Sequence, residues 1–349
     1  MQLEPRENIS TLRIITAPVL AILAAFIICS GLIMWTGEPV LEAYGYLFKG
    51  GFGSRFAISE TLNRATPLIF TGLAAAVAFR AKFWNIGAEG QLYFGALAAT
   101  ILGAGAISMP SVLMIPFLFL AGAIAGGLAL LGPVFLKTTL KVDEVVTTLL
   151  LNFVILLFVN YLLEGPLRDP MSLGWPQAAP IIDEGVLPAL LPRTRLHIGF
   201  LVAISAAVMI WGLMRYTIWG YEIRAVGANA TAARFAGISI NRTVILVAML
   251  SGGLAGMAGI TETAGTKGYL TLDLSPGFGY SGIAVAMLAN LHPIGVIISA
   301  IFLAGIYVGS DSMSRAVDIP TYIADVMVAI SVLSVLVSLM FVQYRVRWK

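Results

Sequence analysis

Long apolar segments alternate with short polar ones along almost the whole chain. A helix that crosses the roughly 30 Å hydrocarbon layer of a bilayer needs about 20 mostly apolar residues. The apolar segments are runs of this kind, without the residue-by-residue alternation that a membrane β-barrel requires. The pattern predicts an all-α, polytopic integral membrane protein with about ten transmembrane helices. They lie at residues 14–35, 60–79, 86–106, 112–136, 145–163, 197–214, 243–263, 278–291, 293–310 and 320–342.

Two of these segments differ from a simple spanning helix. The first, 14–35, is longer than the apolar region of a cleaved signal peptide, which has about 7 to 15 residues, so we expect it to be retained. The eighth, 278–291, is short and contains glycine, which favours a tilted, broken or re-entrant helix. The whole chain, 1–349, is predicted to form a single transmembrane domain.

Lysine and arginine are unevenly distributed between the two sides of this predicted bundle. Thirteen of the 21 fall on the side that carries both termini, and eight fall on the other. Basic residues accumulate in cytoplasmic loops, so both termini are predicted to be cytoplasmic. Residues 215–242 then form the longest cytoplasmic loop, and residues 164–196 form a proline-rich outer loop that contains Trp175.

Composition supports a membrane protein and disfavours a nucleic-acid partner. Hydrophobic residues make up 59% of the chain and charged residues only 11%, whereas soluble domains are nearer a quarter charged. The net charge of +3 comes from basic residues that are scattered between apolar segments, not clustered as in a nucleic-acid interface. The expected surroundings are therefore a lipid bilayer.

Motifs of common enzymes and metal sites are missing from the sequence. It contains no GxxxxGK[ST] phosphate loop, GxSxG elbow or HExxH signature. The two histidines, His197 and His292, are far apart in sequence and lack other ligands at metal-binding spacing, so each is expected at a membrane interface. The chain is therefore predicted to be neither an enzyme nor a metal protein, and to bind no cofactor itself.

Polar residues open the third predicted span, in the sequence Asn-Ile-Gly-Ala-Glu-Gly-Gln at positions 85–91. A charged group deep in lipid costs about 2.5 to 3.5 kcal/mol on insertion scales, so Glu89 should face protein or water. Asn85 and Glu89, four residues apart, are expected to share a helical face, with Gln91 pointing nearly opposite. These side chains could line a solute pathway or hold helices together, and the residues alone leave both open.

Two further polar residues lie inside predicted spans. Asn152 lies two to three turns into the fifth span, at a depth similar to that of Glu89. The two side chains could form a polar shelf for a solute or hydrogen-bond to one another. Glu262, near the outer end of the seventh span, is a weaker candidate because an acid there can reach water.

Glycine- and alanine-rich segments occur in both halves, at 71–78 and 251–260. They are compatible with an internal inverted repeat, as in many transporters, and also with simple close packing of helices.

The predicted cytoplasmic loop contains a short helix. Asn229 can cap a helix from Thr231 to Phe235 that Gly237 ends, with Phe235 as an exposed apolar contact. A peripheral partner protein could bind such a helix. Alternatively it could lie on lipid headgroups, because Arg224 and Arg234 suit anionic lipid.

Three of these segments resemble a known family. Residues 220–238 resemble the coupling loop of ABC-importer permeases, and Gly227, Asn229, Ala232, Ala233 and Gly237 give it the form seen in the ribose and branched-chain amino acid permease superfamily. Residues 85–91 and 274–288 resemble the nucleoside and simple-sugar branch of that superfamily. The likeness runs from about residue 60 to 310.

The resemblance implies the ABC-importer permease fold and a role as one half of a pore in the bacterial inner membrane. Two partner ATPase subunits would bind ATP and Mg²⁺. A second, different permease subunit and an external substrate-binding protein or lipoprotein would complete the importer. The solute would be a nucleoside or a simple sugar, moved by alternating access. The candidate residues for the substrate pathway are Asn85, Glu89, Gln91, Asn152 and Glu262. Residues implied for ATPase coupling are Gly220, Arg224, Gly227, Asn229, Ala232, Ala233, Arg234, Phe235 and Gly237.

Two other functions remain open on the sequence. An ion-coupled secondary transporter of a small polar solute has the same size and helical character. A branched-chain amino acid permease belongs to the same superfamily, although a zwitterionic solute would need paired opposite charges and the intramembrane acids lack an obvious basic partner.

Overall fold

The computed structural model describes the backbone of residues 2–5 and 11–347 and the side chains of residues 16–17, 19–338 and 340–342. Arg6 and Lys349, two of the basic residues counted toward the predicted orientation, lie outside the described residues. Thirteen α-helices and two short strands follow in the described part: β1 Gln2–Pro5, α1 Thr11–Trp35, α2 Val40–Phe52, α3 Arg55–Arg80, α4 Ala88–Gly103, α5 Ser111–Leu140, α6 Glu144–Glu164, α7 Gly199–Tyr216, α8 Ile218–Ala228, α9 Ala230–Phe235, α10 Ile240–Ile260, α11 Phe278–Leu288, α12 Pro293–Val317, α13 Tyr322–Gln343 and β2 Tyr344–Arg347.

Each of the ten predicted spans overlaps one of these helices. Among the described residues seven helices are long and apolar enough to cross a membrane, namely α3, α5, α6, α7, α10 with its extension, α12 and α13. An eighth candidate is the pair α1 and α2, which bend by 117° at their junction. Helices α4 and α11, with 16 and 11 residues, are shorter than a spanning helix needs to be. The predicted count of about ten is therefore approximate, and α11 is short, as expected.

The chain packs as two compact units, residues 1–61 with 301–349 and residues 62–300. In the first unit, apolar side chains of α1, α2, the end of α12 and α13 form one cluster that includes Cys29, Leu47, Met313 and Met327. Strands β1 and β2 pair antiparallel, with Gln2 opposite Arg347, so residues 2–5 and 344–347 lie side by side. The prediction of one domain over 1–349 stays a prediction.

The second unit is built around α10, which packs against α4 and α5 through small residues. A Cβ at Gly126 of α5 would overlap the carbonyl oxygen of Gly252, and one at Gly256 would overlap that of Gly122. The two backbones approach each other closely at these positions, as small residues allow between membrane helices. Close packing thus accounts for the glycine-rich segment 251–260, while the inverted repeat stays a prediction.

A non-helical segment of the second unit joins α6 to α7 and covers the residues that follow α10. It contains a 3₁₀ turn at Asp183–Gly185 and isolated β-bridges, one of which joins Gln177 to Thr271. Backbone N–H groups of Ala178, Ile181 and Leu187 donate to carbonyl oxygens between residues 264 and 270, at 2.8 to 3.0 Å. The predicted outer loop is therefore fixed to the segment that follows α10.

Candidate functional site

Four of the five predicted pathway residues meet around the start of α4. The helix begins at Ala88, after Asn85 and not before it. Asn85 and Gln91 form a reciprocal amide pair, in which each side-chain nitrogen donates to the other's oxygen at 2.9 Å. Asn85 Nδ2 also donates to the Ser251 hydroxyl at 2.9 Å. The expectation that Asn85 shares a helical face with Glu89 is wrong, because Asn85 precedes the helix and folds back toward Gln91.

Asn152 of α6 fixes the backbone of the same helix start. Its Oδ1 accepts from the N–H of Gly90 at 2.8 Å, and its Nδ2 donates to the carbonyl oxygen of Ile86 at 2.9 Å and to the Tyr280 hydroxyl at 3.1 Å. The Asn152 side chain is fully buried. Among the described residues its partners are therefore backbone groups on either side of Glu89 together with Tyr280. The direct hydrogen bond between Asn152 and Glu89, one of the two arrangements considered, is absent there.

Glu89 lies at the beginning of another helix, α11. Only 4% of the residue is exposed, and its Oε2 accepts from the N–H of Gly279 at 2.6 Å. A carboxylate at a helix N-terminus satisfies an N–H group that has no partner within the helix and interacts favourably with the helix dipole. A Cβ at Gly279 would overlap the backbone of Glu89, so the two helices touch at this point. Glu89 therefore links α4 to α11.

Glu262 lies in a seven-residue π-helical turn, Thr261–Lys267, that continues α10. It is 4% exposed, and the Thr266 hydroxyl donates to its Oε1 at 3.4 Å. The expectation that this acid reaches water is wrong for the chain as described, because the π-helical turn directs it inward. Insertions of this type are frequent at functional sites. None of the hydrogen bonds in the described part joins Glu262 to the other four candidates.

The predicted cytoplasmic loop consists of two helices, α8 and α9. Thr217 caps α8 by accepting from the N–H of Gly220 at 3.1 Å. Asn229 caps α9 by accepting from Thr231 and Ala232 at 3.0 and 3.1 Å, and the chain turns at Gly237 with φ = +85°. The predicted cap and end of the short helix are confirmed. Helix α8 was not expected.

The predicted coupling residues divide into buried and exposed ones. Gly220 and Gly227 are buried, and a Cβ at Gly227 would overlap the carbonyl oxygen of Arg80 at the end of α3. Ala233 is only 4% exposed and packs inside the chain, so its side chain is not part of the surface that a partner could contact. Phe235 is 90% exposed. Ala232 and Arg234 are also exposed, and Arg224 is half-buried.

Sequence reasoning missed several partners of the polar residues. Ser251 is fully buried and donates to the carbonyl oxygen of Ala74 at 2.8 Å while it accepts from Asn85. The Tyr93 hydroxyl donates to the carbonyl oxygen of Leu272 and accepts from the N–H of Ser275 at 3.2 Å. Polar residues within apolar spans are the signal that could have identified them, but their partners lie more than 160 residues away in the sequence.

The two histidines have different surroundings. His292 is exposed and accepts from the N–H of Gly295 at the start of α12. His197 is 1% exposed and packs against Gly199 and Gly265, so its ring lies inside the protein, and its position at a membrane interface stays a prediction. The neighbouring glycines leave room for the ring inside the protein. Among the described residues, no group of three or more His, Cys, Asp or Glu side chains is placed to hold a metal ion.

Comparison with known proteins identifies the family. Residues 57–339 match the family described as the permease component of branched-chain amino acid transport systems. The chain belongs to this permease family. It is a polytopic membrane permease, and the seven long apolar helices named above are its candidate membrane spans among the described residues.

Characterised relatives of the permease are similar over most of their length. A glucose ABC transporter permease protein of Haloferax volcanii is 35% identical over 99% of this chain and 93% of its own. A guanosine ABC transporter permease protein of Bacillus subtilis is 34% identical over 91% of this chain and 92% of its own. A nucleoside ABC transporter permease protein of Lactococcus lactis is 30% identical over 87% of this chain and 85% of its own. No solved structure matches the permease.

Proposed function

We propose that this permease is the membrane-spanning subunit of an ATP-binding cassette importer that takes up a nucleoside or a simple sugar by alternating access. The observation that carries the proposal is the similarity, over nearly the whole chain, to permeases named for glucose and for guanosine. Both solutes are neutral and rich in hydrogen-bonding groups. A protein with many buried Asn, Gln, Ser and Thr side chains and few buried charges suits such a solute.

The importer contains further subunits. Two ATPase subunits bind ATP and Mg²⁺ and carry out hydrolysis, and an external binding protein or lipoprotein delivers the solute. A second, different permease subunit completes the pore. The complex lies in the bacterial inner membrane with both termini of this chain in the cytoplasm. The pairing of β1 with β2 supports one part of this arrangement, because both ends of the chain must then leave the membrane on the same side.

Asn85, Glu89, Gln91 and Asn152 support the wall of the solute pathway in this proposal. Their hydrogen bonds go to other protein groups and fix the starts of α4 and α11. The Tyr280 hydroxyl accepts from Asn152 Nδ2 and the residue is 39% exposed, so it can connect this network to a solute. Glu262 occupies a π-helical turn that can rearrange during alternating access.

Coupling to the ATPase runs through α8 and α9. The exposed side chains of Ala232, Arg234 and Phe235 form the contact surface. The other predicted coupling residues shape and hold this segment in the same proposal: Gly220, Arg224, Gly227, Asn229, Ala233 and Gly237. The packing of Gly227 against the end of α3 gives the segment a direct mechanical connection to a long membrane helix.

The test of subunit composition is affinity purification from membranes of the native host. A tag on the full-length permease should isolate an ATPase subunit and a second permease in fixed stoichiometry, with ATP hydrolysis that requires Mg²⁺. A tagged, unrelated polytopic protein from the same membranes is the control. Isolation of the permease without any ATPase, under conditions that preserve other importers, would contradict the proposal.

A branched-chain amino acid is the second candidate solute, favoured by the description of the matching family. Equilibrium binding by the external binding protein separates the candidates. Guanosine or glucose should bind and leucine should not; the reverse result would select the amino acid branch while leaving the importer class intact.

A further inference from the structure

Two surface depressions flank α9, each with a volume of about 420 Å³. One lies between the ends of α3 and α5 and the junction of α8 with α9, and Lys82 and Lys137 contribute its charged groups. The other lies between the turn that joins α5 to α6 and the start of α10, with Lys137, Lys141 and Arg234 in its wall. Four basic side chains thus surround one small area of the second unit.

Acidic side chains balance only part of this charge. Lys137 forms an ion pair with Glu144. Asp143 accepts from the N–H of Val145 and caps α6. In the described part of the chain, no ion pair involves the remaining cations, Lys82, Lys141 and Arg234.

Both lysines occupy positions where glycine would cost less, and Lys141 Nζ donates to the carbonyl oxygen of Thr138 at 3.2 Å. Lys82 has φ = 53° and Lys141 has φ = 58°, in the left-handed region that favours glycine at the ends of helices. A basic residue also suits the negative end of a helix, but any position in the last turn provides that benefit without an unfavourable φ. The two lysines therefore place positive charge just beyond the ends of α3 and α5.

Exposed apolar residues adjoin the basic area. Leu140 is 61% exposed, Val146 is 51% exposed, and Val142, in the wall of the second depression, is 39% exposed. They belong to or border α5 and α6, two of the candidate spans. A dissolved anion gains no binding energy from exposed apolar side chains. A lipid does, because it places its headgroup on a polar area and its acyl chains on an adjoining apolar one.

We propose that the basic area formed by Lys82 and Lys141 binds the headgroup of an acidic phospholipid, with the acyl chains on the exposed faces of α5 and α6. Basic pockets at the ends of membrane helices attract anionic headgroups. The proposal goes beyond transport and does not depend on the identity of the solute.

The experiment uses the full-length permease in mild detergent, titrated with phosphatidylglycerol and observed by native mass spectrometry. The wild type should retain phosphatidylglycerol in preference to phosphatidylcholine. Each basic residue near an anionic lipid contributes about 1 kcal/mol, so the Lys82→Gln/Lys141→Gln double variant should bind roughly thirtyfold more weakly. The double arginine variant, which keeps the charge, should bind like the wild type. So should Lys49→Gln, which removes an exposed lysine from the other unit.

Two results would overturn the proposal. One is wild-type retention of phosphatidylglycerol by the double glutamine variant. The other is complete displacement of phosphatidylglycerol from the wild type by dissolved glycerol phosphate at equal concentration, because the site would then recognise a soluble anion. Wild-type retention should also fall as salt is raised from 0.1 to 1 M, since screening weakens contacts between exposed charges. Salt-independent retention would contradict the proposal even if the variants failed to fold.

Discussion

At the scale of single residues, the polar side chains of the second unit act as connectors between helices. Asn85 reaches Ser251, Asn152 reaches the start of α4, and Glu89 reaches the start of α11. The sequence identified these residues, because polar groups within apolar spans need a partner. It did not identify their partners, which depend on how distant parts of the chain pack. The sequence left open whether these side chains line a pathway or hold helices together, and the observed hydrogen bonds do hold helices together.

Glu89→Gln tests the role of the charge in this network. Glutamine keeps an oxygen that can accept from Gly279 N–H but removes the negative charge at the N-terminus of α11. A hydrogen bond to a charged group contributes about 1.5 to 3 kcal/mol, roughly twice a neutral one, so the start of α11 should loosen without unfolding. Solute uptake should fall severalfold while the complex stays assembled.

Uptake by membranes that contain matched amounts of wild-type and Glu89→Gln complex measures this effect. Unchanged uptake at equal abundance would show that the charge has no role in the pathway wall. Loss of assembly would instead assign Glu89 to holding the helices together.

At the scale of elements, apolar segment length predicted where helices lie but not how they end. Helix α2 was missed because it is short and contains Glu42 and Lys49, so it does not look like a span. Helix α8 was missed because Gly220 and Gly227 favour a loop when tertiary packing is ignored, whereas here both glycines allow close contact with α7 and α3. The cap of α9 was predicted correctly because it depends on local sequence alone.

The contact between α5 and α10 can be tested with two glycines of one helix. Gly126→Ala places a Cβ against the carbonyl oxygen of Gly252, and overpacking typically costs 1 to 3 kcal/mol. A thermal melt in detergent should show a clear loss of stability. Gly132→Ala is the matched control, because no atom lies within 4 Å of its Cβ and alanine favours a helix by about 1 kcal/mol. Equal melting temperatures for the two variants would contradict the observed packing.

The exposed end of α9 predicts an effect on ATPase binding. Phe235→Ala removes a side chain that is 90% exposed, and a central aromatic contact is worth about 2 kcal/mol or more at an interface. ATPase affinity should fall roughly thirtyfold, as measured with purified subunits. Phe135→Ala, at a residue 61% exposed on α5, should leave that affinity unchanged. If both variants bind the ATPase like the wild type, α9 is not the coupling contact.

The segment between α6 and α7 predicts a second interface. Trp175 is 67% exposed in a segment that is fixed by backbone hydrogen bonds, so it can anchor the external binding protein at low entropic cost. Trp175→Ala should weaken docking of the purified binding protein by tenfold or more. Trp219→Ala, at an exposed tryptophan on α8, should not alter docking. Wild-type docking by the Trp175 variant would remove this assignment.

At the scale of the whole molecule, fold class and family followed from the sequence, whereas the number of spans did not. Apolar length defines a membrane protein, but α1 with α2, α4 and α11 depart from straight spanning helices, so counting segments gives only an approximate number. Residues 220–238, 85–91 and 274–288 carried the family resemblance, which the match over residues 57–339 bears out. Solute and subunit composition belong to the assembled importer and cannot be obtained from one chain.

Uptake into proteoliposomes that contain the permease with its co-purified subunits tests the central claim most directly. Labelled guanosine and glucose are supplied outside with the binding protein, ATP and Mg²⁺ are enclosed or omitted, and proton and sodium gradients are imposed or removed. The account predicts uptake of one of the two solutes only with enclosed ATP, unaffected by collapse of either gradient. Uptake that persists without ATP and the ATPase subunits, and stops when an ion gradient is removed, would contradict it and identify an ion-coupled transporter.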